Sequence, residues 1–142
     1  MNVNWRILGA VLLIAGSAGI GCRIAAVYKQ EVVQLYLSAP YTEYDMENKI
    51  EKASVALVGF EKTDILKPNE EEIVEIIVDI DNLASYDAYG TGSYLLDDGD
   101  YYFTAATDSH NAVNNILAAK GFTAADGRMD ADGDAALTYK YV

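Results

Sequence analysis

Among its 142 residues the chain has one cysteine, one histidine and ten basic residues, so several kinds of site are excluded at once. A lone Cys22 rules out an internal disulfide framework and any cysteine-rich zinc centre. His110 has no second histidine and no serine or cysteine motif to work with. It reads as a first-turn helix residue facing solvent or a neighbouring domain, not as a catalyst. The ten Lys and Arg stand against 22 Asp and Glu and are scattered among them. That excludes a nucleic-acid partner, because neutralising phosphates needs clustered cations. The net charge of −12 reports chiefly on solubility.

What is present divides at about Gln30. Residues 1–30 hold Arg6, Arg23 and Lys29 and no carboxylate, whereas residues 31–142 contain all 22 acids and carry −15. We read 1–30 as a transmembrane- or signal-like leader and 31–142 as one domain. About 112 residues suffice for a single core. From Ile7 to Cys22 the leader is uncharged, and an apolar run resumes at Ile24–Val27 after Arg23. This predicts an N-terminal hydrophobic helix that contacts a membrane through residues 7–27, as a short span with Arg23 snorkelling or as an export signal. Ala15/Gly19 and Ser17/Gly21 have small-xxx-small spacing, and Gly19-Ile20-Gly21-Cys22 partly resembles a lipoprotein processing site. The expected location is membrane-anchored or exported from a bacterium, and cytoplasmic if the leader is an artefact of the gene model.

After Glu31 the hydrophobic period becomes two. Val33, Leu35 and Leu37 alternate with Gln34 and Tyr36, Ser54–Phe60 reads as a second strand, and Val74, Ile76, Val78 and Ile80 share a face in Glu72–Ile80. Tyr94–Leu96 and Tyr101–Ala106, on either side of Asp97-Asp98-Gly99, predict a hairpin. Asp108 or Ser109 should cap a short helix near 109–120 whose Val113, Ile116 and Leu117 face inward, with Gly121 as its stop. Ala135–Val142 is the expected last strand. Short strands at this spacing imply a mainly β protein, an antiparallel sandwich with the helix packed outside its sheets.

Three segments carry a resemblance. EVVQLYLSAPYTEYD (31–45), KASVALVGFEKTDILKPNEEEIVEIIVD (52–79) and LLDDGDYYFTAATDSHNAVNNILAAKG (95–121) resemble the fibronectin type III-like domain of family 3 glycoside hydrolases, the β-glucosidase family. Leu57–Thr63 matches its L-x-G-F-x-K strand, Leu66–Glu70 its L-x-P-G-E turn with Asn69 in place of glycine, and Asp98–Tyr101 its G-x-Y strand entry. The leader resembles the N-terminal membrane helix of stage III sporulation protein AB over about 30 residues. The family resemblance implies an immunoglobulin-like sandwich with Tyr101 bridging a corner to backbone. It also implies N-terminal truncation, because opening strands belong where the leader stands, so a strand edge should be exposed. The implied function is a non-catalytic accessory domain supporting the catalytic domains of a family 3 hydrolase in carbohydrate degradation.

Candidate sites follow from the side chains. Glycoside hydrolysis needs two carboxyls about 5–9.5 Å apart, one with a raised pKa, and no acid here sits in a motif that selects it. No catalytic residue, metal ligand or cofactor is therefore assigned. Asp130-Ala131-Asp132-Gly133-Asp134 fails as an EF-hand loop, because the required glycine and glutamate positions fall on Ala135 and Tyr141. It reads as a solvated acidic turn. Strand tyrosines such as Tyr36, Tyr86, Tyr89, Tyr94, Tyr101 and Tyr102 pack on neighbours more readily than on sugars. The resemblance implies that the loop Pro40–Glu51 reaches towards the catalytic domain, which makes Tyr41 and Tyr44 the candidates for interdomain contact. The alternatives are a membrane-anchored carbohydrate-binding or envelope protein, with a glycan as partner, and an inactive fragment of a β-glucosidase gene.

Overall fold

The computed structural model describes residues 3–6, 30–67 and 72–142. The expected apolar helix over 7–27, Cys22 and the Pro68-Asn69 turn lie outside the described residues. Among those described, no helix is long and apolar enough to cross a membrane.

Among the described residues, eight strands and two short α-helices follow in the order β1 (Val3–Arg6), β2 (Val32–Ser38), α1 (Glu43–Asn48), β3 (Ala56–Lys62), β4 (Glu75–Val78), β5 (Ser85–Asp87), β6 (Ser93–Leu95), β7 (Tyr101–Ala106), α2 (Ser109–Ala119) and β8 (Thr138–Tyr141). The main sheet is antiparallel in the order β3-β2-β7-β8, and β1-β4 and β5-β6 form separate antiparallel pairs. The alternation in β2 sets the layering. Leu35 and Leu37 join Tyr101 and Phe103 of β7 against Ile76 and Val78 of β4 and Leu83, and these residues are the core. The layers come close at Gly59, which pairs with Leu35 beside a β-bulge, and a Cβ there would lie 2.5 Å from Ile76 Cγ2. Only glycine leaves room for that isoleucine.

Several expectations need correction. The second strand runs two residues later than Ser54–Phe60, because Ser54 and Val55 still belong to the preceding bend. Val74, Ile76 and Val78 are buried as the alternation requires, but Ile80 is exposed. Asp79 caps a 3-10 turn at Ile80–Leu83, which breaks the period of two and puts Leu83 into the core instead. Tyr94–Leu96 and Tyr101–Ala106 do not form a hairpin, since β6 pairs with β5 while β7 pairs with β2 and β8. Asp97–Asp100 is a corner between sheets, and the Tyr101 hydroxyl donates to the Asp97 carbonyl at 2.9 Å, the bridging role expected of it.

The helix α2 begins at its expected Asp108 cap and stops at Gly121, whose φ of +88° suits glycine. Its buried face is Ala112, Asn114, Asn115 and Ile116, with Val113 and Leu117 only half-buried. The surface beneath is polar, and an asparagine answers it. Asn115 Nδ2 donates to the Ala105 carbonyl at 3.3 Å, and its Oδ1 accepts the Asp134 N–H at 2.8 Å. The last strand is shorter than Ala135–Val142, because Ala135–Leu137 forms a 3-10 turn capped by Asp134. Finally, β4 is paired with β1 (Val3–Arg6), a strand within the segment read as a leader.

Candidate functional site

The loop Pro40–Glu51 is not irregular. Thr42 starts α1 with a capping box, in which its backbone N–H donates to Asp45 Oδ2 at 2.7 Å and its hydroxyl does so at 3.0 Å. The same carboxylate oxygen accepts Lys52 Nζ at 2.7 Å. Lys52 Nζ also donates to Asp97 Oδ2 at 2.6 Å and to the Pro40 carbonyl at 2.9 Å, so one ammonium joins the α1 loop to the β6–β7 corner. Asp45 is fully buried, and its Oδ1 has no hydrogen-bond partner among the described residues. Burial opposes its charge, but the Lys52 ammonium and the Thr42 donors outweigh burial and hold the carboxyl below its ordinary range.

A second buried carboxylate organises the neighbouring β5–β6 hairpin. Asp87 accepts the Gly90 and Thr91 N–H groups at 2.7 Å each, the Thr91 hydroxyl at 3.1 Å and the Tyr44 hydroxyl at 2.8 Å. The Thr91 N–H is the largest influence, and together these donors overcome burial and pull the carboxyl down to about 2. The Tyr44 hydroxyl is pushed up, first by its hydrogen bond to Asp87 and then by burial. A Cβ at Gly90 would run into both Asp87 oxygens and the Tyr44 hydroxyl, so the hairpin needs glycine there.

These two carboxylates tie the α1 loop and the β5–β6 hairpin into a tyrosine-bearing pole. Tyr86 and Tyr94 pair directly across β5 and β6 with ring centroids 5.1 Å apart at 62°, and they remain 53% and 73% exposed. Tyr89 at the hairpin tip is 78% exposed, Tyr44 is exposed and reaches the hairpin through its bond to Asp87, and Tyr41 is exposed next to the α1 cap. Tyr44 therefore has both a structural bond and an outward face, while Tyr41 is placed by α1. Tyr36 and Tyr101 are buried on neighbours, as expected of strand tyrosines. Tyr86, Tyr89 and Tyr94 depart from that expectation and stand exposed. The signal that would have found them is Tyr-Asp-Ala-Tyr-Gly-Thr-Gly-Ser-Tyr, a glycine-rich turn that sets Tyr86 opposite Tyr94.

The remaining candidates are accounted for locally. His110 is exposed and its Nδ1 lies 3.9 Å from Asp130 Oδ2, an ion pair in open water when protonated. In the acidic segment, Asp130 accepts from Asn114 Nδ2 at 2.6 Å, Asp132 from the Ala124 N–H at 2.8 Å and Asp134 from the Ala136 N–H at 2.9 Å. A Cβ at Gly133 would strike the α2 backbone at Asn114 and Asn115, so its glycine serves packing. Every carboxyl whose titration is displaced among the described residues, Asp45, Asp87, Asp108, Asp126 and Asp130, is displaced downward. A general acid for glycoside cleavage needs the opposite shift.

The chain is 41% identical over 93 residues to a β-glucosidase of Ruminococcus albus, covering 63% of this chain and 9% of that protein. It is 37% identical over 87 residues to β-glucosidase A of Butyrivibrio fibrisolvens, covering 59% of this chain and 10% of that protein. The chain thus spans about a tenth of the length of these curated relatives. A solved β-glucosidase structure from Paenibacillus barengoltzii is 32% identical, with a TM-score of 0.49 over 57% of this chain and 8% of that one. Residues 31–109, from one residue before β2 to the first residue of α2, match the fibronectin type III-like domain. By that match over more than half of its length, the chain belongs to the fibronectin type III-like domain family.

Proposed function

We propose that this sandwich is a non-catalytic accessory domain of the family 3 β-glucosidase type, and that its tyrosine-bearing pole docks against catalytic domains. The observation that carries the reading is the pairing of a family match confined to a small segment of β-glucosidases with an exposed aromatic surface. Tyrosines combine a large apolar area with a polar tip and lose little side-chain entropy on contact, which suits an interdomain surface. Tyr86, Tyr89 and Tyr94 extend the contact assigned to Tyr41 and Tyr44. A flat glycan platform is disfavoured by the 62° angle between Tyr86 and Tyr94.

The test uses the Ruminococcus albus β-glucosidase with its matching segment deleted. Adding this chain should raise the thermal stability of that enzyme, and Tyr86→Ala with Tyr94→Ala should abolish the gain while leaving the chain folded. Equal stabilisation by the double variant, or none by the native chain, would refute docking through this pole.

A further inference from the structure

Between the approach to β3 and the first half of α2 lies an open groove of about 410 Å³, at the small end of the range of about 300–1,000 Å³ in which ligand sites fall. Its apolar lining is Met129, which is buried, with Val55 and Val113, which are half-buried. Its polar lining carries both signs of charge. Asn114 is buried, and its Nδ2 donates to Asp130 Oδ1 at 2.6 Å. That bond anchors the Asp130 carboxylate and is the first cause of its titrating below the ordinary range. Asp130 Oδ2 stands 3.9 Å from His110 Nδ1, beyond hydrogen-bond reach, and the side chain is 68% exposed, so the anchored carboxylate keeps accepting capacity. Arg128 brings donors to the same groove, with its guanidinium stacked 4.7 Å from the Phe122 ring centroid.

This mixture selects a class of ligand. An anion would gain from Arg128 and lose to Asp130, on a chain whose net charge is already −12, and a cation would meet the reverse. A neutral ring with adjacent hydroxyls satisfies both groups. One hydroxyl donates to the carboxylate, its neighbour accepts from the guanidinium, and the C–H face of the ring covers Met129 and the valines. We propose that this groove binds a neutral polyol the size of a monosaccharide, held by Asp130 and Arg128 over an apolar lining. The inference is independent of docking through the tyrosine-bearing pole, with which the groove shares no residue. Most of its wall, from His110 to Asp130, also lies beyond the residues 31–109 matched by the fibronectin type III-like domain. The site therefore belongs to the joint between that domain and the segment that follows it.

Amide chemical shifts of the isotope-labelled full-length chain test this in titrations with D-glucose, D-galactose and myo-inositol, and with sodium phosphate at matched ionic strength. At least one neutral probe should give saturable shifts at Ser54, Ser109–Asn114 and Arg128–Asp130, with a Kd on the order of one millimolar. Phosphate should give none. Asp130→Ala and Arg128→Ala should each weaken binding about tenfold, while Tyr86→Ala with Tyr94→Ala should leave it unchanged. Asp130→Ala also strips the buried Asn114 of its acceptor, so its spectrum must keep the native dispersion; if it does not, the exposed Arg128→Ala decides alone. The proposal is overturned if none of the neutral probes saturates, or if their shifts centre on the tyrosines of the β5–β6 hairpin. Saturable binding of phosphate alone, or native affinity in Arg128→Ala, would overturn it equally.

Discussion

Replacing Lys52 with methionine keeps the length of the side chain and removes the cation that pairs with Asp45 and Asp97. In the native chain this ammonium is almost fully buried and bonds to Asp45, Asp97 and the Pro40 carbonyl within 2.9 Å. Asp45 would remain buried with one oxygen already unpartnered and the other reduced to its Thr42 donors. Removing one partner of a buried ion pair costs about 3–5 kcal/mol, against a total domain stability of about 5–15 kcal/mol. For a domain of this size the melting temperature should fall on the order of 10–20 °C. Urea and thermal unfolding of the full chain at pH 7, followed by circular dichroism, measure the deficit. Its pH dependence has a definite sign. The Asp45 carboxyl is depressed in the folded state, so its contribution is complete above the ordinary carboxylate value and disappears as the pH falls through the lowered folded one. Lys52→Met removes the main source of that depression, so its deficit should be largest near neutral pH and shrink on acidification. A loss below about 1 kcal/mol, the scale of an exposed ion pair, would refute the reasoning. So would a deficit that grows as the pH falls.

Three further outcomes follow from the packing. Gly59→Ala drives a methyl into Ile76 and should cost about 1–3 kcal/mol in urea unfolding, and Ile76→Ala should be less harmful in that background than in the native chain. Tyr101→Phe removes the corner bond to the Asp97 carbonyl and should lower stability by about 1 kcal/mol with no change in the far-ultraviolet spectrum. Asp87→Asn should destabilise at neutral pH. Because the folded value of Asp87 is about 2 against an ordinary 3.8, the gap from the native chain should close as the pH falls from about 4 toward 2, and a constant gap would contradict the assigned bonds.

The strands of the core were legible because alternation is a local property. Leu35, Leu37, Ile76 and Val78 point inward as their spacing requires, and Tyr101 bridges its corner as the family resemblance implied. Partner choice was not legible. The segments around Asp97–Gly99 look like a hairpin in one dimension, yet Lys52 and Tyr101 turn them into a crossing between sheets, and Lys52 lies far away in sequence. The buried face of α2 was misread for a similar reason. An apolar-face rule cannot foresee that Asn115 satisfies the Ala105 carbonyl, because that need is created by the sheet. The tyrosine pole was half visible. Tyr41 and Tyr44 were singled out, but the exposure of Tyr86, Tyr89 and Tyr94 depends on the hairpin standing at the edge of the fold.

The central position of β2 also affects how the chain is made. One neighbour, β3, follows soon after β2, but the other, β7, pairs Ala106 with Gln34 and is synthesised about seventy residues later. At about 5–20 residues per second, a ribosome takes roughly 4–14 s to bridge that interval. For those seconds the β2–β3 ladder presents an open edge where β7 will pair, while α2, which packs on β7, does not yet exist. The nascent chain thus passes through a stage in which its best-formed element is also its most adhesive, and its yield in the cell should depend on chaperone supply more than its final stability suggests.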